Sequence, residues 1–220
     1  MPIESTPPAN LTINGESIAI VKDFKYLGSH MESAEKDVKE RIALAWVAFH
    51  KLESILKSPK LTVNFKIRLF NAACISILLY GCETWVLTKD LSDDLDIFAR
   101  KAYRIILGIR QSDAHMTNDD LYRIVKQQPI SAHIRERQLK FTGHCIRMNT
   151  DELINTYILY ESRSTIEKGT RKQRTTYTHQ ISQHLCRDKK IELSAHEIVR
   201  YAKNKTSWKN LIAAPTRPDR

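Results

Sequence analysis

From residue 33 onward, the apolar residues of this chain return at intervals of three and four for almost its whole length, and that period confines it to a helical fold. Val38, Ile42, Ala45, Phe49, Leu52 and Leu56 alternate spacings of four and three, which makes a seam along one side of a helix. The spacing predicts a helix from Ser33 or Ala34 to Lys57, stopped before Pro59. Thr62 is placed to cap a second helix through Phe65, Leu69, Phe70, Ala73, Ile77 and Tyr80, ended or bent at Gly81. Thr88 is placed to cap a third, with Asp90, Asp93 and Asp94 in its first turns complementing the macrodipole. Its stripe is Leu91, Leu95, Phe98, Ala102, Ile105 and Ile109. Three striped helices with short links predict a bundle that packs on itself.

The N-terminal end reads differently. Asn14-Gly15 stands between Leu11 and Ile13 on one side and Ile18, Ile20 and Val21 on the other, the strongest short-range hairpin signal because both turn residues need positive φ. A further extended segment turns at Gly28-Ser29. Beyond the bundle, Thr117 to Asp120 signals a short helix to Lys126, Pro129 starts another to about Met148, and Asp151 to Tyr160 extends the pattern. Weaker helices are expected near Thr178–Cys186, Ser194–Ala202 and Ser207–Ala213. The predicted fold class is mainly α, with a short N-terminal β-hairpin remnant. Its parts are a disordered lead-in over 1–10, the β remnant over 11–30, the bundle over 31–112, a basic helical linker region over 113–160 and a basic, loosely helical segment over 161–220.

Charge is distributed as unevenly as structure. Residues 1–60 carry eight basic and eight acidic side chains, whereas residues 121–220 carry twenty and nine, so the net charge of +10 belongs to the second half. A neutral packing half and a basic half suggest that the second faces a polyanion. The candidate nucleic-acid contacts are Arg123, Lys126, Arg135, Arg137, Lys140, His144 and Arg147, with Lys168, Arg171, Lys172 and Arg174 in the polar stretch that follows. Such side chains position a nucleic acid through its phosphates without reading sequence. Tyr122, Phe141 and Tyr177 are interleaved with them; Trp46, Trp85 and Trp208 read as packing anchors.

Other chemistry is poorly supported. The pairs Asp93-Asp94 and Asp119-Asp120 fall in helix first turns, where capping explains them without a two-metal centre. His179, His184 and Cys186 lack a fourth ligand nearby for structural zinc. His144-Cys145 lacks the orienting group of a nucleophile–base pair. The reading is therefore of a nonenzymatic chain with no cofactor and no metal. The most apolar run, Ala72 to Tyr80, is too short to span a bilayer, and the first residues lack an apolar signal core. With four scattered cysteines, these features predict an intracellular protein, nuclear or cytoplasmic, without a membrane partner.

Three segments resemble one known family in order and spacing. Phe24-Lys25-Tyr26-Leu27-Gly28-Ser29 resembles the FxYLG element that closes the palm of non-LTR (LINE-type, RTE-like) retrotransposon reverse transcriptases. Leu78-Leu79-Tyr80-Gly81-Cys82-Glu83-Thr84-Trp85 is similar to the LLYGxETW signature of the following helical region. Arg135 to Met148 is similar to the RxxQLxxxGHxxRM element. More loosely, Gly169 to Tyr177 stands where relatives carry a GRPxxRW segment, here without its Gly-Arg-Pro, and Trp208 to Ile212 resembles the terminal WRxLI element. The resemblance implies the last palm strands, the thumb and the linker region of such a polymerase, without the palm's paired aspartates. It implies a noncatalytic C-terminal fragment whose partners are RNA or an RNA/DNA hybrid and the missing palm and fingers. The other expectations are a helical interaction module that dimerises through the Val38–Leu56 seam, and a decayed transposon product. Oligomeric state is left open by the sequence.

Overall fold

The computed structural model describes residues 12–17, 24–30, 33–109, 116–159, 176–186 and 193–213. The lead-in over 1–10 and the basic residues Lys168, Arg171, Lys172 and Arg174 lie outside the described residues. The fold is mainly α with two short antiparallel strand pairs near the N-terminus. Among the described residues no helix is long and apolar enough to cross a membrane.

Strands β1 (Thr12–Ile13) and β2 (Glu16–Ser17) pair across Asn14 and Gly15, both at positive φ. Strands β3 (Lys25–Tyr26) and β4 (Ser29–His30) form a second hairpin. Its turn is Leu27-Gly28, one residue earlier than the sequence suggested, with φ of 48° and 83°. A leucine in the left-handed region costs about 1 kcal/mol, and tertiary bonds hold it there. The Tyr80 hydroxyl donates to the Leu27 carbonyl at 3.0 Å, and the Arg41 guanidinium donates to that of Gly28 while lying over the Tyr80 ring.

Helix α1 (Ala34–Leu56) begins at Ser33, whose hydroxyl accepts from Lys36 N–H. Val38, Ala45, Phe49 and Leu56 are completely buried, with Ile42 and Leu52 packed beside them, so the seam is filled by the chain's own core. The second predicted helix is not continuous. Helix α2 (Val63–Phe70), capped by Thr62, passes through a π-helical turn over Asn71–Ile75 into α3 (Ser76–Leu78). The Ser76 hydroxyl donates to the Ala72 carbonyl at 2.6 Å inside that turn, a side-chain insertion of the kind that disturbs a helical ladder. A 3₁₀ turn over Cys82–Thr84 leads to α4 (Lys89–Leu107), capped by Thr88. Phe49, Phe70, Phe98 and Tyr103 meet edge-on or stacked in the centre of this bundle.

Helix α5 (Asn118–Val125) is capped by Thr117 and leads to α6 (Ile130–Ile146). Pro129 offers α6 no side-chain cap, and Asp96 of α4 supplies one from outside: its carboxylate accepts from Ser131 N–H at 3.0 Å and from the Ser131 hydroxyl at 2.7 Å. Helix α6 then serves two cores. Ile130 and Ile134 complete the bundle. Leu139 and Ile146 form a second core with Leu159, Ile181, Ile198, Ala202 and Trp208. The latter residues come from the chain around α7 (Leu153–Tyr157), from α8 (Tyr177–Leu185), from α9 (Ala195–Lys203) and from α10 (Lys205–Ala213).

Candidate nucleic-acid interface

The sequence segment Arg135 to Met148 lies almost wholly on α6, and its residues divide by the direction in which the helix turns them. Gln138 is buried between the two cores. Its amide nitrogen donates to the carbonyls of Cys82 (2.9 Å) and Trp85 (2.8 Å), and its oxygen accepts from Gln180 (2.6 Å) and from His184 Nε2 (3.0 Å). Gln180 also donates to Trp85 O at 3.2 Å and accepts from Leu87 N–H at 2.7 Å. Both amides thereby use donors and acceptors alike, the condition for a buried polar network to stabilise a fold. Burial, then the neighbouring Arg135 charge, push the His184 imidazole down to about 4, so it stays neutral in this network. Trp85 extends it to α1, its indole donating to Asp37 at 2.8 Å.

Gly143 has a separate task. A β-carbon there would stand 2.1 Å from the Trp208 indole nitrogen, which donates instead to the Leu139 carbonyl at 2.9 Å. The missing side chain lets α10 press against α6. Ala132, Glu136, Lys140 and Arg147 follow at helical spacing on the same side, and a groove of about 610 Å³ runs between the two helices. Among the described residues its lining includes five cations, Arg135, Lys140, Arg147, Lys205 and Lys209, against the single carboxylate of Glu136. Trp208 lies beneath it and is 1% exposed.

The expected contact residues are therefore only partly brought together. Arg135, Lys140 and Arg147 line the groove while also holding the fold. Arg135 Nε donates to His184 O (2.9 Å), Arg147 to Ala202 O (2.7 Å), and Lys140 pairs with Glu136 at 2.5 Å. The Lys140 ammonium in turn holds the Glu136 carboxyl below its ordinary range. Arg137 is not in the lining; it donates to Leu79 O at 3.1 Å and faces Glu83 at 3.6 Å. His144 is exposed on α6 outside the groove. Arg123 pairs with Asp120 on exposed α5 (2.9 Å), and Lys126 ends that helix in a left-handed conformation. Lys205 and Lys209 were missed, although the WRxLI likeness already marked their helix.

Of the interleaved aromatics, Tyr122 packs against the bundle core and Tyr177 against the second core, while Phe141 is half-buried on α6. Tyr122 meets Tyr103 edge-on at 6.4 Å, and the Tyr177 hydroxyl donates to Glu83 O at 2.9 Å, with burial pushing its phenol up to about 12. Among the described residues no three His, Cys, Asp or Glu side chains gather to hold a metal. His184 is engaged by Gln138, and His179 lies 2.7 Å from Gln183. Burial pushes the Cys74 and Cys82 thiols up to about 11 and about 12, so neither is a ready thiolate.

No family model matches the chain, and no solved structure gives a significant match. The chain is 27% identical over 138 residues to an uncharacterized transposon-derived protein of Caenorhabditis elegans, an alignment covering 58% of this chain and 47% of the relative. It thus spans about half the length of the curated relative it matches, and the similarity is to transposon-derived sequence.

Proposed function

We propose that the chain is the thumb and following helical region of a non-LTR retrotransposon reverse transcriptase, and that it holds RNA or an RNA/DNA hybrid by the phosphate backbone. One observation carries the reading. The three segments that resemble that family, far apart in sequence, are linked by direct hydrogen bonds: Leu27 to Tyr80, and Cys82 and Trp85 to Gln138. A set of motifs that behaves as one physical unit is what a shared ancestral domain would leave. The similarity to a transposon-derived protein supports the same direction.

In this reading the chain contributes grip and no chemistry, and works with palm and fingers that supply the carboxylates, in the nucleus or cytoplasm. The cationic groove is the surface best suited to a polyanion. A decayed transposon product is the second reading, favoured by the loss of Gly-Arg-Pro near Gly169. Dimerisation through the Val38–Leu56 seam is disfavoured, because Val38, Ala45, Phe49 and Leu56 are wholly enclosed.

Titrating labelled RNA and a labelled RNA/DNA hybrid at several salt concentrations tests the proposal. Log affinity should fall linearly with log salt and be indifferent to sequence. Absence of binding, or binding that ignores salt, would refute it.

A further inference from the structure

The groove between α6 and α10 has a shape as well as a charge, and the shape selects among nucleic acids. From Arg135 to Arg147 the helix rises about 18 Å over twelve residues. The cavity beside it is about 610 Å³, too small to enclose a double helix along that length. A single extended strand is narrow enough to enter it. Many duplex readers present a convex element that enters a groove of the nucleic acid, the B-form major groove being about 12 Å wide and admitting a helix, and proteins that enclose a heteroduplex need a far wider channel than this one. Here the concavity belongs to the protein, and its cations stand on both walls: Arg135, Lys140 and Arg147 on α6, Lys205 and Lys209 on α10.

The lining also says what is not recognised. Trp208 is the one aromatic among the described lining residues, and its ring is covered, with its N–H committed to Leu139. The described lining therefore offers bases no exposed ring to stack on, and attraction falls to the phosphates. Lys205 and Lys209 are exposed and take no part in an ion pair among the described residues, which leaves their charge available to a ligand.

We propose that this groove binds a single unpaired nucleic-acid strand, three to five phosphates long, through Arg135, Lys140, Arg147, Lys205 and Lys209. The inference deepens the reading above and rests on it, since it names which form of nucleic acid this surface takes. Five cations on a single strand predict a slope of log affinity against log salt of about −3.5, and removal of two should bring it to about −2.

The test uses the full chain, fluorescence anisotropy, and six labelled probes, namely oligo-U of two, four, six and twelve nucleotides, oligo-dT of twelve and a twelve-base-pair RNA/DNA hybrid, with polyglutamate as competitor. Affinity for oligo-U should rise steeply up to four to six nucleotides and change little beyond. Lys205→Glu with Lys209→Glu should weaken oligo-U and oligo-dT about tenfold or more and leave the hybrid within about twofold. Lys205→Arg with Lys209→Arg should keep binding. Circular dichroism melting checks that the variants fold, and Lys205→Gln with Lys209→Gln serves if charge reversal unfolds α10. Strand binding that ignores these substitutions, a hybrid weakened as much as the single strand, or polyglutamate competing on equal terms would each overturn the groove assignment. In all three cases salt-dependent nucleic-acid binding could survive, so the broader reading would stand. If no nucleic acid binds at all, both fail together.

Discussion

Replacing Gln138 by leucine separates a structural role of its segment from a ligand-contact role, because Gln138 touches no solvent and makes four hydrogen bonds. Leucine has nearly the same volume, so the packing term is small. Four bonds at about 1 kcal/mol each set the scale at about 4 kcal/mol. The loss is reduced because Trp85 O keeps the Gln180 donor and Cys82 O keeps the Trp85 N–H at 3.3 Å. The His184 Nε2–H is left facing a methyl group. The expected cost is about 3 kcal/mol, a large share of the ~5–15 kcal/mol that holds a domain folded. In urea unfolding this lowers the midpoint by about 1 M, with m near 3 kcal/mol/M. Gln180→Leu and the double variant complete a cycle, with a coupling of at least ~1 kcal/mol expected for the shared 2.6 Å bond. A midpoint shift under about 0.3 M, or additivity within about 0.4 kcal/mol, would refute the idea that this network joins the two cores.

Further outcomes follow from neighbouring groups. Gly143→Ala should destabilise by about 2 kcal/mol through its clash with Trp208, yet in a Trp208→Ala background it should stabilise by up to ~1 kcal/mol, since glycine then only weakens the helix; thermal melts of the four chains decide it. Because the His184 imidazole is pushed down to about 4 in the fold, the unfolded chain takes up its proton first, near pH 6.5. Stability should therefore be unaffected above pH 7 and decline between about pH 6.5 and 4. His184→Gln should remove up to about 3 kcal/mol of that decline in urea titrations at each pH. Trp85→Phe deletes the donor to Asp37, whose other oxygen accepts no hydrogen bond and stands 3.9 Å from Arg41; a loss of about 2 kcal/mol by urea unfolding is expected, and a neutral result would contradict the assignment.

What the sequence made legible was whatever is local. Thr62, Thr88 and Thr117 cap helices because a side-chain oxygen three residues upstream of an N–H is a property of the chain itself. The Val38–Leu56 seam was readable for the same reason. The Asp96 cap on α6 was not, because donor and acceptor lie 35 residues apart. Nor was the π turn at Asn71–Ile75, where an apolar helix pattern continues unbroken through a changed hydrogen-bond ladder. The site was half readable. Basic residues on α6 were identifiable, but periodicity on one helix cannot say that Arg137 turns toward Leu79 and Glu83, or that Lys205 and Lys209, far along the chain, line the same groove as Lys140. Gly143 looked like part of a signature, and its partner, Trp208, makes it a contact surface.

That α6 belongs to both cores imposes an order on assembly. Helices α8, α9 and α10 have short apolar faces that meet chiefly on Leu139 and Ile146. Without α6 in place they have no common floor. Helix α6 is itself held at its start by Asp96 of the bundle, so the C-terminal core is a dependent one, and a ribosome releasing this chain from its N-terminus delivers the scaffold before the helices that need it. Damage to the bundle should then disorder the groove from a distance, whereas truncation after α7 should cost the bundle only the bonds that Tyr177 and Gln180 make to Glu83, Trp85 and Leu87.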